Sequence, residues 1–236
     1  MDSISLCVTC PNRLTGFCGA LLGPDEQRDG EPSGWQRFFA VEAGAQIATR
    51  RQQSADVLVL CAGWAFRYFQ LADGRRQILQ FLLPGDVVSP ATIFEGNYLF
   101  SAKALTEVVV SGFVRSEVRG RCATRQGVQA VLATCSIAET RDAAELATVL
   151  GRCSAEERIA YLLLRLIKRI AAGNVIRDES YPVPLRQQHI ADAVGLTTVH
   201  VSRVFGLFRK RGILTMSDGI LRVTDRRRLE QLGSLR

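Results

Sequence analysis

Near the C-terminal end, apolar and polar positions alternate at the spacing of two helices joined by a tight turn. Ile190 and Val194 share one face of a short helix, and Gly195 follows as a residue that tolerates positive φ. A second helix is predicted to begin at Thr197 or Thr198. Its apolar positions are predicted to pack inward: Val199, Val201, Val204, Phe205 and Phe208. The pattern indicates a helix-turn-helix rather than an ordinary surface pair of helices.

Two short apolar runs follow that second helix, at residues 213–216 and 220–223. Ser217-Asp218-Gly219 separates them, and Asp-Gly between apolar runs is a strong signal for a tight β-hairpin. The hairpin is predicted to form a wing beside the helix-turn-helix.

The stretch before the helix-turn-helix is also helical. Ser154-Ala-Glu-Glu157 has the pattern of a capping box, which predicts a helix that starts there and ends at Gly173. Residues 174–184 are predicted to be a connector into the helix-turn-helix.

Residues 125–150 repeat apolar positions at a spacing of about 3.5 residues, which predicts one long helix followed by a break at residues 151–153. This helix has more apolar face than a small barrel covers. It is interpreted as joining a homodimer through a parallel helix pair, and packing wholly within one chain is the alternative. The predicted interface residues are Val128, Val131, Leu132, Cys135, Leu146 and Val149.

Residues 35–118 have the texture of short strands, with β-branched and aromatic residues at 57–71, 75–83 and 99–113. Glycine recurs every 11 residues, at Gly63, Gly74, Gly85 and Gly96, which is typical of hairpin punctuation in a small antiparallel barrel or sandwich. Such a barrel either encloses an effector or has a filled core, and the texture does not decide between the two.

The composition and charge of the chain indicate what class of partner it binds. The chain of 236 residues is 47% hydrophobic, which suffices for two domains, and its formal net charge is +7. From Pro184 onward ten basic side chains stand against four acidic ones, a surplus that suits contact with the phosphates of nucleic acid. No apolar run approaches the roughly 20 residues of a membrane-spanning helix, and the first residues lack a secretory pattern. A cytoplasmic location without membrane contact is therefore expected.

The first 34 residues are predicted to be irregular and to carry three of the seven cysteines. Cys7 and Cys10 are separated by two residues, and Cys18 follows after seven more. Thiolates at this spacing can converge on one soft metal centre, and incidental thiols on a tail are the alternative. The histidines, His189 and His200, both lie in the helix-turn-helix, and no serine or cysteine has a recognisable nucleophile context, so no enzymatic function is expected.

Four motifs in this order resemble signatures of the Crp/Fnr superfamily of bacterial transcription regulators, over nearly the whole chain. They are Asp73-Gly-Arg-Arg-Gln-Ile78, Leu83-Pro-Gly-Asp86, Ser154-Ala-Glu-Glu-Arg158 and Gly195-Leu-Thr-Thr-Val-His-Val-Ser-Arg203. The resemblance implies an α+β fold: a cyclic-nucleotide-binding-like β-roll, or jelly-roll barrel, then a long dimerisation helix and a C-terminal winged helix-turn-helix. The corresponding segments are 1–34 (cysteine segment), 35–122 (β-roll sensor), 123–150 (dimerisation helix) and 151–236 (DNA-binding domain). It also implies a homodimer that binds palindromic promoter DNA and contacts RNA polymerase.

Two differences from the patterns of the superfamily's branches indicate which branch the chain resembles. The first concerns the phosphate cassette. Members that bind cyclic nucleotides carry an Arg-Ser pair in the phosphate cassette, whereas residues 85–103 here contain Leu99, Phe100 and Ser101 and no arginine. A buried phosphodiester without a cationic partner is costly, so no cyclic AMP binding is expected.

The chain looks most like the Fnr/FixK-type branch with N-terminal cysteines. Cys7, Cys10 and Cys18 look like the N-terminal ligands of the 4Fe-4S cluster that oxygen-sensing, Fnr-like members hold. Where that branch has its fourth ligand, this chain has Ser111 and Gly112, and either Cys61 or Cys122 is a possible substitute. The resemblance implies a regulator in which oxygen dismantles an iron-sulfur cluster. One alternative is a regulator that senses haem, nitric oxide or a small effector through the β-roll, and another class is an iron-sulfur electron-transfer protein.

Fnr-like members place a glutamate, a serine and an arginine on the DNA-reading helix. Ser202 and Arg203 match this pattern, but Val199 stands at the glutamate position and cannot accept a hydrogen bond from cytosine. The half-site is therefore expected to differ from the Fnr-type sequence, with Arg203 bound bidentately to guanine. The predicted DNA contacts are Gln187, Thr197, Thr198, His200, Ser202, Arg203 and Arg209.

Overall fold

The computed structural model describes residues 16–22, 34–173 and 178–235. The chain folds as two compact units, one formed by residues 1–68 and 80–140 and the other by residues 69–79 and 141–236. The first is rich in strands and the second in helices, in agreement with the α+β class expected from the sequence. In the described ranges, no helix is long and apolar enough to cross a membrane.

Seven strands form two antiparallel sheets, in the orders β1-β7-β3 and β2-β6-β4-β5. Their bounds are β1 Gln36–Val41, β2 Gln46–Ala48, β3 Asp56–Ala62, β4 Ala65–Gln70, β5 Arg76–Leu82, β6 Ser101–Ala104 and β7 Val108–Val114. Side chains of alternating strand positions face inward and are buried, among them Leu60, Ala102 and Val110. The predicted strand region is thus confirmed.

The four glycines spaced 11 residues apart mark the turns of this region. Gly63, Gly74, Gly85 and Gly96 have φ of 79°, 87°, 98° and 77°, in the left-handed region that favours glycine. At Gly63 a Cβ would also lie 2.2 Å from the carbonyl oxygen of Glu107. Gly63 and Gly74 lie in the β3–β4 and β4–β5 hairpins, so the predicted hairpin punctuation is confirmed at these two positions. Gly85 lies in a turn after β5, and Gly96 instead ends the short helix Thr92–Glu95.

In the part of the chain that the structure describes, the helices that accompany the sheets are α1 Gly16–Leu21, α2 Thr92–Glu95, α3 Arg115–Thr124 and the long α4 Gln126–Arg152. The sequence placed the change from strand to helix at residue 125, whereas α3 already begins at Arg115. Only Val118 and Cys122 of α3 are buried, so its apolar signal is too sparse to reveal a helix. Extended backbone at Arg125 separates α3 from α4.

The second unit continues with α5 Ala155–Gly173, β8 Ser180–Pro182, α6 Gln187–Val194, α7 Thr198–Lys210, β9 Leu214–Ser217, β10 Ile220–Val223 and α8 Arg226–Gly233. Asp218 and Gly219 both have positive φ, 50° and 73°, as a tight primed hairpin turn requires. The predicted wing is confirmed, and β8 adds a third strand in the order β8-β10-β9. The sequence had assigned β8 to a connector.

A polar network joins the C-terminal part of α4 to α5. The hydroxyl of Tyr161 donates to a carboxylate oxygen of Glu145 at 2.6 Å, and Arg165 forms an ion pair with Asp142. Burial, together with the hydrogen bond to Glu145, raises the pKa of Tyr161 to about 12, so the hydroxyl keeps its proton. This network fixes α5 against the last turns of α4 within the second unit.

Candidate nucleic-acid interface and cysteine segment

The turn between α6 and α7 is closed by backbone hydrogen bonds and by side chains that satisfy its free carbonyls. Gly195 has φ 64° and ψ 40°, and its N–H donates to the carbonyl of Ala191. Gln77 Nε2 donates to the carbonyl of Ala193 at 2.9 Å, and Arg158 Nη1 donates to that of Val194 at 3.3 Å. These bonds hold the two helices at one angle, which is what insertion of a helix into a DNA groove demands.

Thr197 caps the N-terminus of α7. Its hydroxyl oxygen accepts a hydrogen bond from the backbone N–H of His200 at 3.3 Å, and Nδ1 of the His200 ring lies 2.9 Å from the same oxygen. On α6, the backbone N–H of Arg186 donates to Nδ1 of His189 at 3.1 Å. Both histidines therefore take part in helix caps.

The face of α7 that meets the core consists of Val201, Val204 and Phe208, all buried. Val199 was predicted to join them, and this prediction is wrong, because its side chain is 65% exposed. Residues two positions apart point about 200° apart around a helix, so Val199 and Val201 face opposite ways. Phe205, also predicted inward, is half-buried.

The outward face of α7 presents Val199, Ser202 and Arg203 together, at the i, i+3 and i+4 spacing of one helix face. Gly206 continues this face at i+7, and a Cβ built there would meet no atom within 4 Å. Sequence reasoning identified Ser202 and Arg203 and noted Val199 at the glutamate position of the reading helix, but it missed Gly206, although the same spacing would have grouped all four.

The other predicted DNA contacts are distributed along both helices. Gln187 is exposed in the first turn of α6, Thr197 and His200 are exposed at the start of α7, and Thr198 is half-buried. Arg209 is exposed in the last turn of α7, about 9 Å along the helix from Arg203. The structure thus gathers most of these side chains on the solvent side of the helix-turn-helix.

Several arginines of the second unit are engaged by carboxylates. Arg211 pairs with Glu156 at 2.5 Å, and Arg226 pairs with Glu230 at 2.8 Å and with Glu179 at 3.3 Å. Within the described part of the chain, Arg203 and Arg209 form no ion pair. Their charges remain available for an anionic partner such as the DNA backbone or base edges.

In the N-terminal segment, Cys7 and Cys10 lie outside the described residues, and Cys18 is half-buried on α1. Phe17 and Leu21 of the same helix are buried in a hydrophobic cluster of the first unit. The carbonyl oxygen of Leu21 accepts hydrogen bonds from Nη1 of Arg121 and from Nη1 of Arg125, both at 3.0 Å. The helix that carries Cys18 is therefore attached to the junction of α3 and α4.

The candidate fourth cysteines differ in their surroundings. Cys122 is buried in the same cluster against which Cys18 packs, whereas Cys61 lies half-buried on β3 beside the carbonyl of Val59. Ser111 is fully buried and accepts a hydrogen bond from Gln36 Nε2 at 2.9 Å. Among residues 16–22, 34–173 and 178–235, no group of three or more His, Cys, Asp or Glu side chains is arranged to hold a metal ion.

Burial raises the pKa of the Cys122 thiol, and it also raises that of Cys135, with Glu139 and Asp86 adding to the effect. A buried thiol of this kind is protonated at neutral pH and reacts slowly with oxidants. Neither residue has the electropositive, exposed setting of a reactive cysteine.

Along α4, three predicted interface residues, Val128, Leu132 and Val149, are buried within the single chain, and Val131, Cys135 and Leu146 are half-buried. The opposite face is exposed and bears mostly small side chains around Ile137, which is 68% exposed. These residues are Ala130, Thr134, Ile137, Arg141, Ala144 and Thr148. The hydroxyls of Thr134 and Thr148 already donate to backbone carbonyls four residues earlier, at 2.9 and 3.0 Å.

A buried arginine links the barrel to α4 in the first unit. Arg67 on β4 is 5% exposed and pairs with Glu139 at 2.5 Å. Its guanidinium also donates to Gln80 and lies 4.7 Å from the ring centroid of Phe100. The buried charge of Arg67 is thus paired with a carboxylate of α4 and hydrogen-bonded to an amide of β5.

Comparison with known proteins agrees with this architecture. Residues 38–125 match a model of the cyclic nucleotide-binding domain, and residues 157–232 match a model of the Crp-like helix-turn-helix domain. The chain is 30% identical over 228 residues to the nitrogen fixation regulation protein FixK of Bradyrhizobium diazoefficiens, covering 97% of this chain and 94% of that protein. It is 32% identical over 227 residues to the transcriptional activatory protein AadR of Rhodopseudomonas palustris, covering 95% and 92%.

The solved structure of FixK2 from Bradyrhizobium japonicum is similar to this one, with a TM-score of 0.77 and 27% sequence identity. The similarity covers 85% of this chain and 98% of that chain. A further relative is the transcriptional activator protein FnrL of Cereibacter sphaeroides, 28% identical over 214 residues, or 89% of this chain and 84% of that protein.

Proposed function

Because this chain belongs to the Crp/Fnr family of DNA-binding transcription regulators, and not to a family of enzymes, we propose that its N-terminal cysteines make DNA binding respond to oxygen or redox state. The observation that carries this proposal is the attachment of α1. Cys18 lies on a helix whose last carbonyl, that of Leu21, accepts hydrogen bonds from Arg121 of α3 and from Arg125, the residue between α3 and α4. A change at Cys18 therefore reaches the long helix through direct contacts.

The donor set suits an iron-sulfur cluster of the 4Fe-4S type, because thiolates are the ligands that such clusters take. Cys7, Cys10 and Cys18 would supply three of them. Cys122 belongs to the hydrophobic core against which Cys18 packs. This proximity supports Cys122 as the fourth ligand, in preference to Cys61. When bound, this group supplies reactivity towards oxygen and electron acceptors.

The residues of the chain transmit the signal in this proposal. Phe17 and Leu21 anchor α1 in the core while Cys18 is held in place. Release of Cys18 loosens α1, and Arg121 and Arg125 then lose the carbonyl to which they donate. The start of α4 changes its packing as a result, and the equilibrium between two states of the regulator shifts.

We further propose that the chain acts as a homodimer through the exposed face of α4 around Ile137. Burial of this face leaves no hydroxyl unsatisfied, because Thr134 and Thr148 already donate within the helix. Two copies of α7 would then read a palindromic promoter at half-sites about 34 Å apart, with RNA polymerase as the second partner. The division into segments 1–34, 35–122, 123–150 and 151–236 belongs to the same proposal.

Anaerobic purification with iron, sulfide and absorbance measured together tests the cysteine proposal. The wild-type protein is expected to contain iron and to change its affinity for promoter DNA on exposure to air. Cys18→Ser and Cys122→Ser are expected to lose the iron, whereas Cys61→Ser keeps it and serves as the matched control. Colourless, iron-free protein that binds DNA equally with and without air would overturn the proposal.

A second candidate keeps the regulator but places sensing in the barrel, as the match of residues 38–125 to the cyclic nucleotide-binding domain suggests. Haem, nitric oxide bound to a cofactor, or a small effector would then be the signal, although the missing arginine in residues 85–103 speaks against cyclic AMP. Replacing Cys7, Cys10 and Cys18 together with serine distinguishes the two candidates. A response that survives the triple change assigns sensing to the barrel.

A further inference from the structure

Val199 is an exposed apolar residue whose neighbours on the same face of α7 are polar. It is 65% exposed in the first turn of α7 and shares a face with Ser202 and Arg203. The core of the unit does not need it, since Val201, Val204 and Phe208 fill the inward face. A single exposed valine is ordinary on a protein surface, but here it stands on the part of the helix that contacts base edges.

The chemistry of valine restricts what it can recognise. Its isopropyl group neither donates nor accepts a hydrogen bond, so it cannot read the polar groups of guanine, cytosine or adenine. The one apolar group that base pairs present in the major groove is the 5-methyl group of thymine. Valine is also stiff at χ1, so its two methyl groups are presented in nearly one orientation.

We propose that Val199 reads thymine in each half-site by contact with the 5-methyl group. This inference rests on the proposed docking of α7 in the major groove and names what that helix recognises there. The absence of a side chain at Gly206, on the same face, lets the helix backbone approach the base pairs closely. Val199 and Arg203 are about 6 Å apart along the helix axis and share one face, so the thymine is expected close to the guanine that Arg203 reads.

The test uses duplexes enriched by the full-length protein from a random DNA pool, with each thymine replaced in turn by deoxyuridine. Deoxyuridine removes the methyl group and leaves every base-pairing and hydrogen-bonding atom in place. At one thymine position of the half-site, replacement in a single half-site is expected to weaken binding about fourfold, because one methyl group leaves the interface. Replacement in both half-sites removes two methyl groups and is expected to weaken binding about fifteenfold.

Val199→Ala tests the same contact from the protein. Truncating an exposed side chain is expected to leave the fold intact, and a thermal melt verifies this. Alanine keeps one shorter methyl group, so this variant is expected to lose most of the difference in affinity between thymine and deoxyuridine duplexes at that position. Lys210→Ala is the matched control: loss of a charge weakens binding to all duplexes but keeps the ratio between thymine and deoxyuridine. An enriched sequence whose binding is indifferent to deoxyuridine at every thymine overturns the assignment of Val199. Failure to enrich any sequence instead overturns the docking of α7 itself.

Discussion

The side-chain Nε of Arg76 lies 2.5 Å from Oδ2 of Asp192 on α6, and both side chains are largely shielded from water, with 22% and 11% exposed. The other carboxylate oxygen of Asp192 accepts a hydrogen bond from Gln188 at 2.6 Å. The residue next to Arg76, Gln77, donates to the carbonyl of Ala193. The tip of the β4–β5 hairpin thus holds the first helix of the helix-turn-helix by an ion pair and a backbone contact.

Replacing Arg76 by leucine is expected to lower the free energy of unfolding by about 1–3 kcal/mol, because Asp192 is left poorly solvated without its cation. Urea denaturation of the full chain measures this change. Arg75→Leu is the matched control, since Arg75 is 78% exposed and pairs only locally with Asp73. An equal decrease in the free energy of unfolding for the two variants would show that the Arg76–Asp192 ion pair does not stabilise the fold.

At the exposed face of α4, Ile137→Glu is expected to abolish dimerisation. Two glutamates would face each other across the interface in place of two buried isoleucines, so the dimer dissociation constant should rise at least about 100-fold. Sedimentation equilibrium measures it directly. Ser136→Glu adds the same charge about 100° around the helix and should leave the dimer unchanged. A dimer that persists in Ile137→Glu contradicts the proposed interface.

On the reading helix, Arg203→Ala is expected to weaken specific DNA binding by about 1–3 kcal/mol and to relax selection at one base pair. The reason is the loss of a bidentate contact to guanine that no neighbouring side chain replaces. Titrations of specific and random duplexes at one fixed salt concentration give the ratio that matters. An unchanged ratio would assign Arg203 to the phosphate backbone instead.

The capping box of α5 predicts a pH effect on stability. The backbone N–H of Ser154 donates to Glu157 at 2.7 Å, and with the Ser154 hydroxyl it lowers the pKa of Glu157 below its ordinary value of 4.5. The folded pKa lies below the unfolded one, so this stabilisation is present above pH 4.5 and is lost as pH falls through the folded pKa.

Ser154→Ala is therefore expected to cost about 1 kcal/mol of unfolding free energy at pH 7. Glu157→Gln should flatten the decline of stability below pH 4.5, relative to the wild type. Urea denaturation at pH 7 and pH 4 separates the two effects. If the free energy of unfolding varies with pH in the same way for the wild type and Glu157→Gln, the charge of Glu157 does not contribute to the stability of the cap.

Features with strong local chemistry were predictable from sequence. Gly195, Asp218-Gly219 and the Ser154–Glu157 pair each demand one backbone geometry, and the structure shows that geometry at each of them. Elements without such signals were not found: α3 has only two buried residues, and β8 is three residues long. Their formation depends on neighbours that are distant in sequence.

The site was predictable only in part for a similar reason. Ser202 and Arg203 carry their chemistry in their side chains, so the motif identifies them. Val199 was assigned both to the inward face, because it is apolar, and to the glutamate position of the reading helix, and its 65% exposure rules out the first assignment. The surroundings of Cys122 are likewise set by α1, β3 and α4, which pack together from widely separated parts of the chain.

The hydrogen bonds that Arg121 and Arg125 donate to α1 end on the carbonyl of Leu21, an atom that every amino acid carries, and not on a side chain. Arg121 and Arg125 therefore impose no sequence requirement upstream of the apolar anchors Phe17 and Leu21. A chimeric regulator that exchanges the first 16 residues for another sensory peptide can keep the same attachment. The attachment thus constrains the anchors Phe17 and Leu21 and leaves the identity of the residues before them free to vary without any change at Arg121 or Arg125.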